Sequence, residues 1–238
     1  MYTRLRYNWQ VKQALLVLQD KVVACRRCPR LVRYCRAVAT RKRRAYLDCD
    51  YWGRPVPSFG DPAARVLVIG LAPGAHGSNR TGRMFTGDAS GNFLYGVLHQ
   101  TGFASAPTAV SRVDGLTLRD LYITAAVRCA PPDNKPAPGE FANCRPYLER
   151  ELELLAGVQV VVTLGRMAHD TYLGILLSKG RIRRRAEYPF RHAEVYRMEE
   201  GLPAVICSYH PSRQNTQTGR LTEEMLREVF ERARGMIR

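Results

Sequence analysis

Carboxylates and lysines are scarce in this chain. Its 238 residues carry 21 Asp plus Glu against 37 Lys plus Arg, a formal charge of +16, and only five of the cations are lysines. That imbalance excludes a near-neutral surface, and at a sequence pI near 10.0 such a protein gathers polyanions. Arginine's planar fork suits two-point contact with phosphate. Arginines cluster in "CRRCPRLVRYCR", in "RKRR" (Arg41 to Arg44) and in "RIRRR" (Arg181 to Arg185), although any one cluster alone reads equally as a solvated face. Long apolar runs are absent too, since none reaches the roughly 18 residues of a membrane span. The opening "MYTRLRYNWQ" lacks the basic-then-apolar layout of a secretory leader. The expectation is a soluble, cytoplasmic, nucleoid-associated monomer with no membrane partner, long enough to bury a full core without staples.

Cysteine, by contrast, is present seven times. In a cytosolic chain this argues against a disulfide framework, because thiols there stay reduced. Four of the seven read as ligands. Cys25 and Cys28 form a C-x2-C pair whose thiolates can converge on one centre, and Cys129 and Cys144 form a wider C-x14-C pair far downstream. A zinc ribbon would close with a second tight knuckle, which is missing. Iron-sulfur clusters tolerate dispersed thiolates, so a [4Fe-4S] cluster is expected, with zinc as the alternative. Cys35, Cys49 and Cys207 read as small buried hydrophobes.

Strand and helix signals alternate along the chain. "RVLVIG" (Arg65 to Gly70), "LYITAAV" (Leu121 to Val127), "VQVVVTLG" (Val158 to Gly165) and "PAVICSYH" (Pro203 to His210) are short β-branched runs, the pattern of buried parallel strands. Between them, Phe141, Cys144, Leu148, Leu152 and Leu155 recur at steps of three or four, which turns Cys144 inward on an amphipathic helix. Further helices are expected from Trp9 to Val23, over 165–180 and over 221–237, the last capped by Thr222 with Glu223 and Glu224 in its first turn. The fold class is therefore α/β: a three-layer α/β/α sandwich around a mainly parallel sheet of about four strands. It is read as one domain over 1–238, with an N-terminal helical, metal-binding extension over about 1–60. Ligands of such folds bind beyond the carboxyl ends of the strands.

The usual phosphate-cradling loops are absent. No G-x4-G-K-[ST] occurs, and the glycines at 70, 74, 77, 82, 87 and 91 do not spell G-x-G-x-x-G. The first strand instead runs into "GLAPGAHGSNRTGRMFTGD", rich in flexible backbone, holding an aromatic residue at Phe85 and no carboxylate before Asp88. With "AAVRCAPPDNKP" after the second strand, "HPSRQNTQTGRLT" after the fourth and the four cysteines, this chain resembles the family 5 (type B) iron-sulfur uracil-DNA glycosylases. The likeness spans Cys25 to Thr222.

The resemblance implies a monofunctional DNA glycosylase. It would flip out uracil, hydrolyse its N-glycosidic bond and leave an abasic site for base excision repair in single- or double-stranded DNA. His210, Asp88 and Asn134 are the expected catalytic residues. His210 would donate to uracil O2 as charge builds on the leaving base. Asp88 would position water, although a helix cap is an equally simple use of "TGDASGN", and Asn134 could merely be a turn residue between prolines. Gly70, Ala72, Gly74, His76 and Phe85 would line the base. Ser212, Arg213, Gln214, Asn215 and Arg220 would hold the duplex. Ala125 and Ala126 stand where sister families usually carry a base-reading Asn, so hypoxanthine and xanthine are expected as further substrates. The rival reading is a non-enzymatic iron-sulfur protein that binds DNA or senses lesions on the same scaffold.

Overall fold

The computed structural model describes residues 2–237. Its strands are β1 (Phe59–Gly60), β2 (Val66–Gly70), β3 (Leu121–Ala125), β4 (Val160–Leu164), β5 (Val195–Tyr196) and β6 (Ala204–Ser208). Its helices are α1 (Tyr2–Val23), α2 (Pro29–Arg41), α3 (Ser78–Thr81), α4 (Ala89–Gln100), α5 (Pro138–Leu154), α6 (Arg166–Ser178), α7 (Arg213–Gln217) and α8 (Glu223–Met236).

The four β-branched runs form the middle of one sheet of order β1-β3-β2-β4-β6-β5, and all four are parallel. Val68 stands opposite Ile123 on one side and Val162 on the other. The sheet has six strands rather than about four. The two additions are antiparallel edges of two residues each, too short to leave a periodic signal.

Every residue of β2, β3 and β4 is buried, as strands covered on both faces must be. Alternation divides their side chains between two layers. Val66 and Val68 face Leu94 and Leu98 of α4 with Leu226, Val229 and Phe230 of α8. Leu67 and Ile69 face Leu148 of α5, Tyr172 and Leu173 of α6, and Val11 and Leu15 of α1. Val11, Leu15, Leu18 and Val22 recur along α1 at steps of four and three, and all are buried. That stripe docks the first helix.

A buried polar knot fixes the same helix and orients the end of β3. Glu151 of α5 accepts from Gln19 of α1 (3.0 Å), Ser58 (2.6 Å), Thr124 of β3 (2.6 Å) and the guanidinium of Arg128 (2.5 Å). Arg128 also donates to Ser58 Oγ, and its carbonyl accepts from Val56 N. With side-chain exposures of 1% and 0%, the Arg128–Glu151 pair stands or falls together.

Candidate active site

Chain order sets where a ligand can enter. From β2 the chain crosses to β3 on one side, and later to β4 and β6 on the other. The carboxyl ends of β2 and β4 therefore flank a topological switch point, where the loops part and leave a crevice.

The glycine-rich loop leaves β2 and folds back across that crevice. Phe85 adopts φ +50, a left-handed backbone that costs a non-glycine residue roughly 1–3 kcal/mol. Its neighbours hold it there. Arg83 donates both terminal nitrogens to Asp114 at 2.7 Å, Tyr95 Oη donates to Met84 O at 3.1 Å, and Gly91 of α4 lies so close that a Cβ would meet Phe85 O at 1.9 Å. The ring rests against Gly70 at the end of β2, where a Cβ would lie 3.0 Å away. Across the crevice stands His210, its ring 5.8 Å from that of Phe85 and inclined by 33°.

His210 follows β6 and is pinned through its carbonyl, which accepts from Ser212 N and from Asn215 Nδ2, both at 2.8 Å. Gly165, at the end of β4, adopts φ +96 with its Cα facing the His210 Cβ. The residue is half-buried by contact area, yet its ring is enclosed densely enough that burial pushes its pKa down to about 4. It is therefore neutral at physiological pH, able to donate one N–H without carrying charge.

Asp88 comes late in sequence but is returned to the start of the loop. Its Oδ2 lies against the backbone of Gly74 and Gly77, where a Cβ would come within 2.9 and 1.8 Å. Its Oδ1 accepts from Gly91 N at 2.9 Å and caps α4. Burial raises the carboxyl's pKa against the opposing pull of the Gly91 and Ser90 amides. The cap and the approach to the loop thus belong to different oxygens of one side chain.

The other expected residues have local partners of their own. Ala72 packs against the buried cluster around Leu31, Val127 and the cysteines, and His76 meets Tyr51 Oη at 3.1 Å. Asn134 is exposed in the tight turn Pro132–Asn134, itself at φ +56. Ser212 caps α7 by accepting from Asn215 N, while Arg213 and Gln214 are exposed on its first turn. Arg220 lies 4.6 Å from the ring of Tyr209, which also stacks on the imidazole of His192 and meets Phe190. Ala125 and Ala126 are buried at the end of β3 and offer no side-chain hydrogen bond.

Three of the four candidate ligands share one buried cluster, and the fourth lies on a neighbouring one. Cys28, Cys129 and Cys144 share a buried cluster with Leu31, Cys35, Val127 and Ala130, against which Ala72, Ala75 and Phe141 pack. Cys25 packs on the neighbouring group around Val22 and Tyr147. Burial raises Cys144 to about 11 and raises Cys28, while a hydrogen bond with Cys35, then burial, raises Cys129. Asn143 Nδ2 donates to Cys28 Sγ at 3.4 Å. Among the described residues no group of three or more His, Cys, Asp or Glu is placed to hold a metal ion. The nearness of Cys35 was not legible in the C-x2-C spacing, because α2 supplies it through a fold contact.

Residues 57–234 match the family model described as "Uracil DNA glycosylase superfamily". A type-5 uracil-DNA glycosylase of Thermus thermophilus is 54% identical over 213 residues, covering 90% of this chain and 94% of that protein. One from Pyrobaculum aerophilum is 48% identical over 214 residues, covering 90% and 89%. A type-4 uracil-DNA glycosylase of Sulfurisphaera tokodaii is 32% identical over 127 residues, about half of each chain.

Proposed function

This chain belongs to the uracil-DNA glycosylase superfamily, and from that premise we propose that its crevice receives uracil extruded from DNA and hydrolyses the bond between the base nitrogen and the sugar C1′. The observation that carries this reading is the facing of the His210 imidazole and the Phe85 ring at the mouth of the sheet. A flat base stacked on Phe85 presents its edge to a neutral imidazole.

As the bond breaks, its electron pair leaves with the base and negative charge grows on uracil O2. The N–H of His210 meets that charge; one preorganised donor of this kind is worth roughly 2.7–4 kcal/mol elsewhere. The sugar becomes an oxocarbenium-like cation. The Asp88 carboxylate, in surroundings poorer in water than usual, stabilises it, orients a water toward C1′ and accepts that water's proton as the C–O bond forms. Asn134 is assigned a contact with the polar edge of the base. Ser212, Arg213, Gln214 and Arg220 are assigned to phosphates and to the gap left in the stack, with Asn215 steadying the His210 backbone. The apolar end of β3 supports extending the substrates to hypoxanthine and xanthine.

Cys25, Cys28, Cys129 and Cys144 offer the soft sulfur donors that a thiolate-bound group takes, from three chain segments on two neighbouring apolar clusters. A [4Fe-4S] cluster is the proposed occupant and zinc the alternative, and when bound it supplies metal–sulfur bonds that tie α1, α2, α5 and the β3 end together.

Incubation with a uracil-containing duplex followed by alkaline cleavage tests the activity. Strand breaks at uracil are expected, with the single-turnover rate of His210→Ala about 10²–10³ lower. An intact strand after incubation with wild-type protein would overturn the reading.

A further inference from the structure

Trp52 belongs to none of the catalytic, base-lining or thiol groups. Its indole Nε1 donates to Pro55 O at 3.0 Å, its amide donates to Arg80 O at 2.8 Å, and its ring presses on Gly82, where a Cβ would sit 2.8 Å from Cδ2. The indole is thus bolted to the glycine-rich loop. Two guanidiniums lie on it: Arg54 Cζ is 4.0 Å and Arg112 Cζ 4.8 Å from the ring.

Both arginines are exposed, and among the described residues neither has a carboxylate within ion-pair distance. The acid nearest in sequence, Asp114, is fully engaged elsewhere. Its oxygens accept from the amides of Val110, Ser111 and Leu116 at 2.9–3.1 Å and from both terminal nitrogens of the buried Arg83. The loop bearing Arg112 is therefore rigid, and it is hooked to the crevice because Gly87 N donates to Ala109 O at 2.9 Å. Sharing one ring holds the two cations within about 9 Å of each other, comparable with the screening length at physiological salt. Their repulsion goes uncompensated unless an anion joins them.

We propose that Arg54 and Arg112, mounted on Trp52, form a clamp for phosphates of the DNA backbone at the glycine-loop side of the crevice, two strands away from α7. The indole holds both forks in place before DNA arrives, which removes ordering cost from binding. The same loop tip bares Val110 and Val113, 64% and 81% exposed. Apolar side chains beside paired cations suit the sugar faces of a polynucleotide and add nothing for a free anion. The proposal rests on DNA being the substrate and extends the contact surface beyond the α7 side.

The test is the affinity of a lesion-free duplex, read by fluorescence anisotropy between 50 and 200 mM salt. Arg54→Gln and Arg112→Gln are each expected to reduce the slope of log affinity against log salt by about one contact, and the double variant by about two. The advantage of wild type over the double variant then shrinks roughly tenfold across that salt range. Trp52→Leu, with both arginines kept, is expected to weaken binding while retaining more of the slope than the double variant. Arg227→Gln, taken from an ion pair on α8, is the control for general charge and should leave the slope unchanged. A double variant with the wild-type slope, or Trp52→Leu binding as tightly as wild type, overturns the clamp. Lesion-free DNA separates the two claims. Failure to excise uracil with the slope changes intact would sink only the glycosylase reading, and excision without slope changes would sink only the clamp.

Discussion

Asp88 caps α4 through Oδ1 while its Oδ2 lies against Gly74 and Gly77, and substitution can part the cap from the proposed catalytic charge. Asn caps helices as well as Asp does, so Asp88→Asn keeps an acceptor for Gly91 N and removes only the charge. The pKa of the carboxyl is raised, which means the fold disfavours its ionised form and carries that penalty at every pH above the raised value. Asp88→Asn is therefore expected to melt at or above the wild-type temperature near pH 7. Asp88→Ala removes the cap as well, at about 1 kcal/mol, or about 2–4 °C for a chain of this size. Both variants should lose at least about 10² in single-turnover excision, the range for a positioned general base. Melting curves and alkaline cleavage of a uracil duplex, run on the same preparations, decide the matter. If Asp88→Asn excises uracil at the wild-type rate while Asp88→Ala only melts earlier, the carboxylate is a cap and nothing more.

Two other perturbations probe the scaffold. Glu151→Leu strands the buried Arg128 guanidinium without its counter-charge and should cost about 3–5 kcal/mol in urea unfolding, with much of the loss recovered by adding Arg128→Met; a loss below about 1 kcal/mol would refute the uncompensated-charge argument. On the proposed iron-sulfur reading, wild-type protein carries iron with visible absorbance and Cys144→Ala loses both and melts lower, whereas iron bound by the variant at the wild-type ratio would remove Cys144 from the ligand set.

The central strands were legible because burial on both faces forces continuous β-branched runs, and β2, β3 and β4 are five buried residues each. The edges Phe59–Gly60 and Val195–Tyr196 were not, since two residues have no period. His210 could be singled out because strand end and proline sit next to it in sequence. The nearness of Asp88 to Gly74 and Gly77 could not, because it depends on how α3 and the following turn double the loop back. Trp52, Arg54 and Arg112 gave no signal at all: the two arginines lie far apart in sequence, and fold contacts such as the Asp114–Arg83 pair and the Gly87–Ala109 hydrogen bond bring the second onto the indole.

Ala72 and Ala75 pack on the buried cluster that holds Cys28, Cys129 and Cys144, while Gly74 and Gly77, interleaved with them, receive Asp88. Neighbouring residues of one short segment thus answer to two masters. Substitutions in that segment would therefore disturb the packing around the cysteine cluster and the seat of Asp88 together. The far wall, carried by β6 and the residues after His210, is free of that constraint and is where new specificity is best sought.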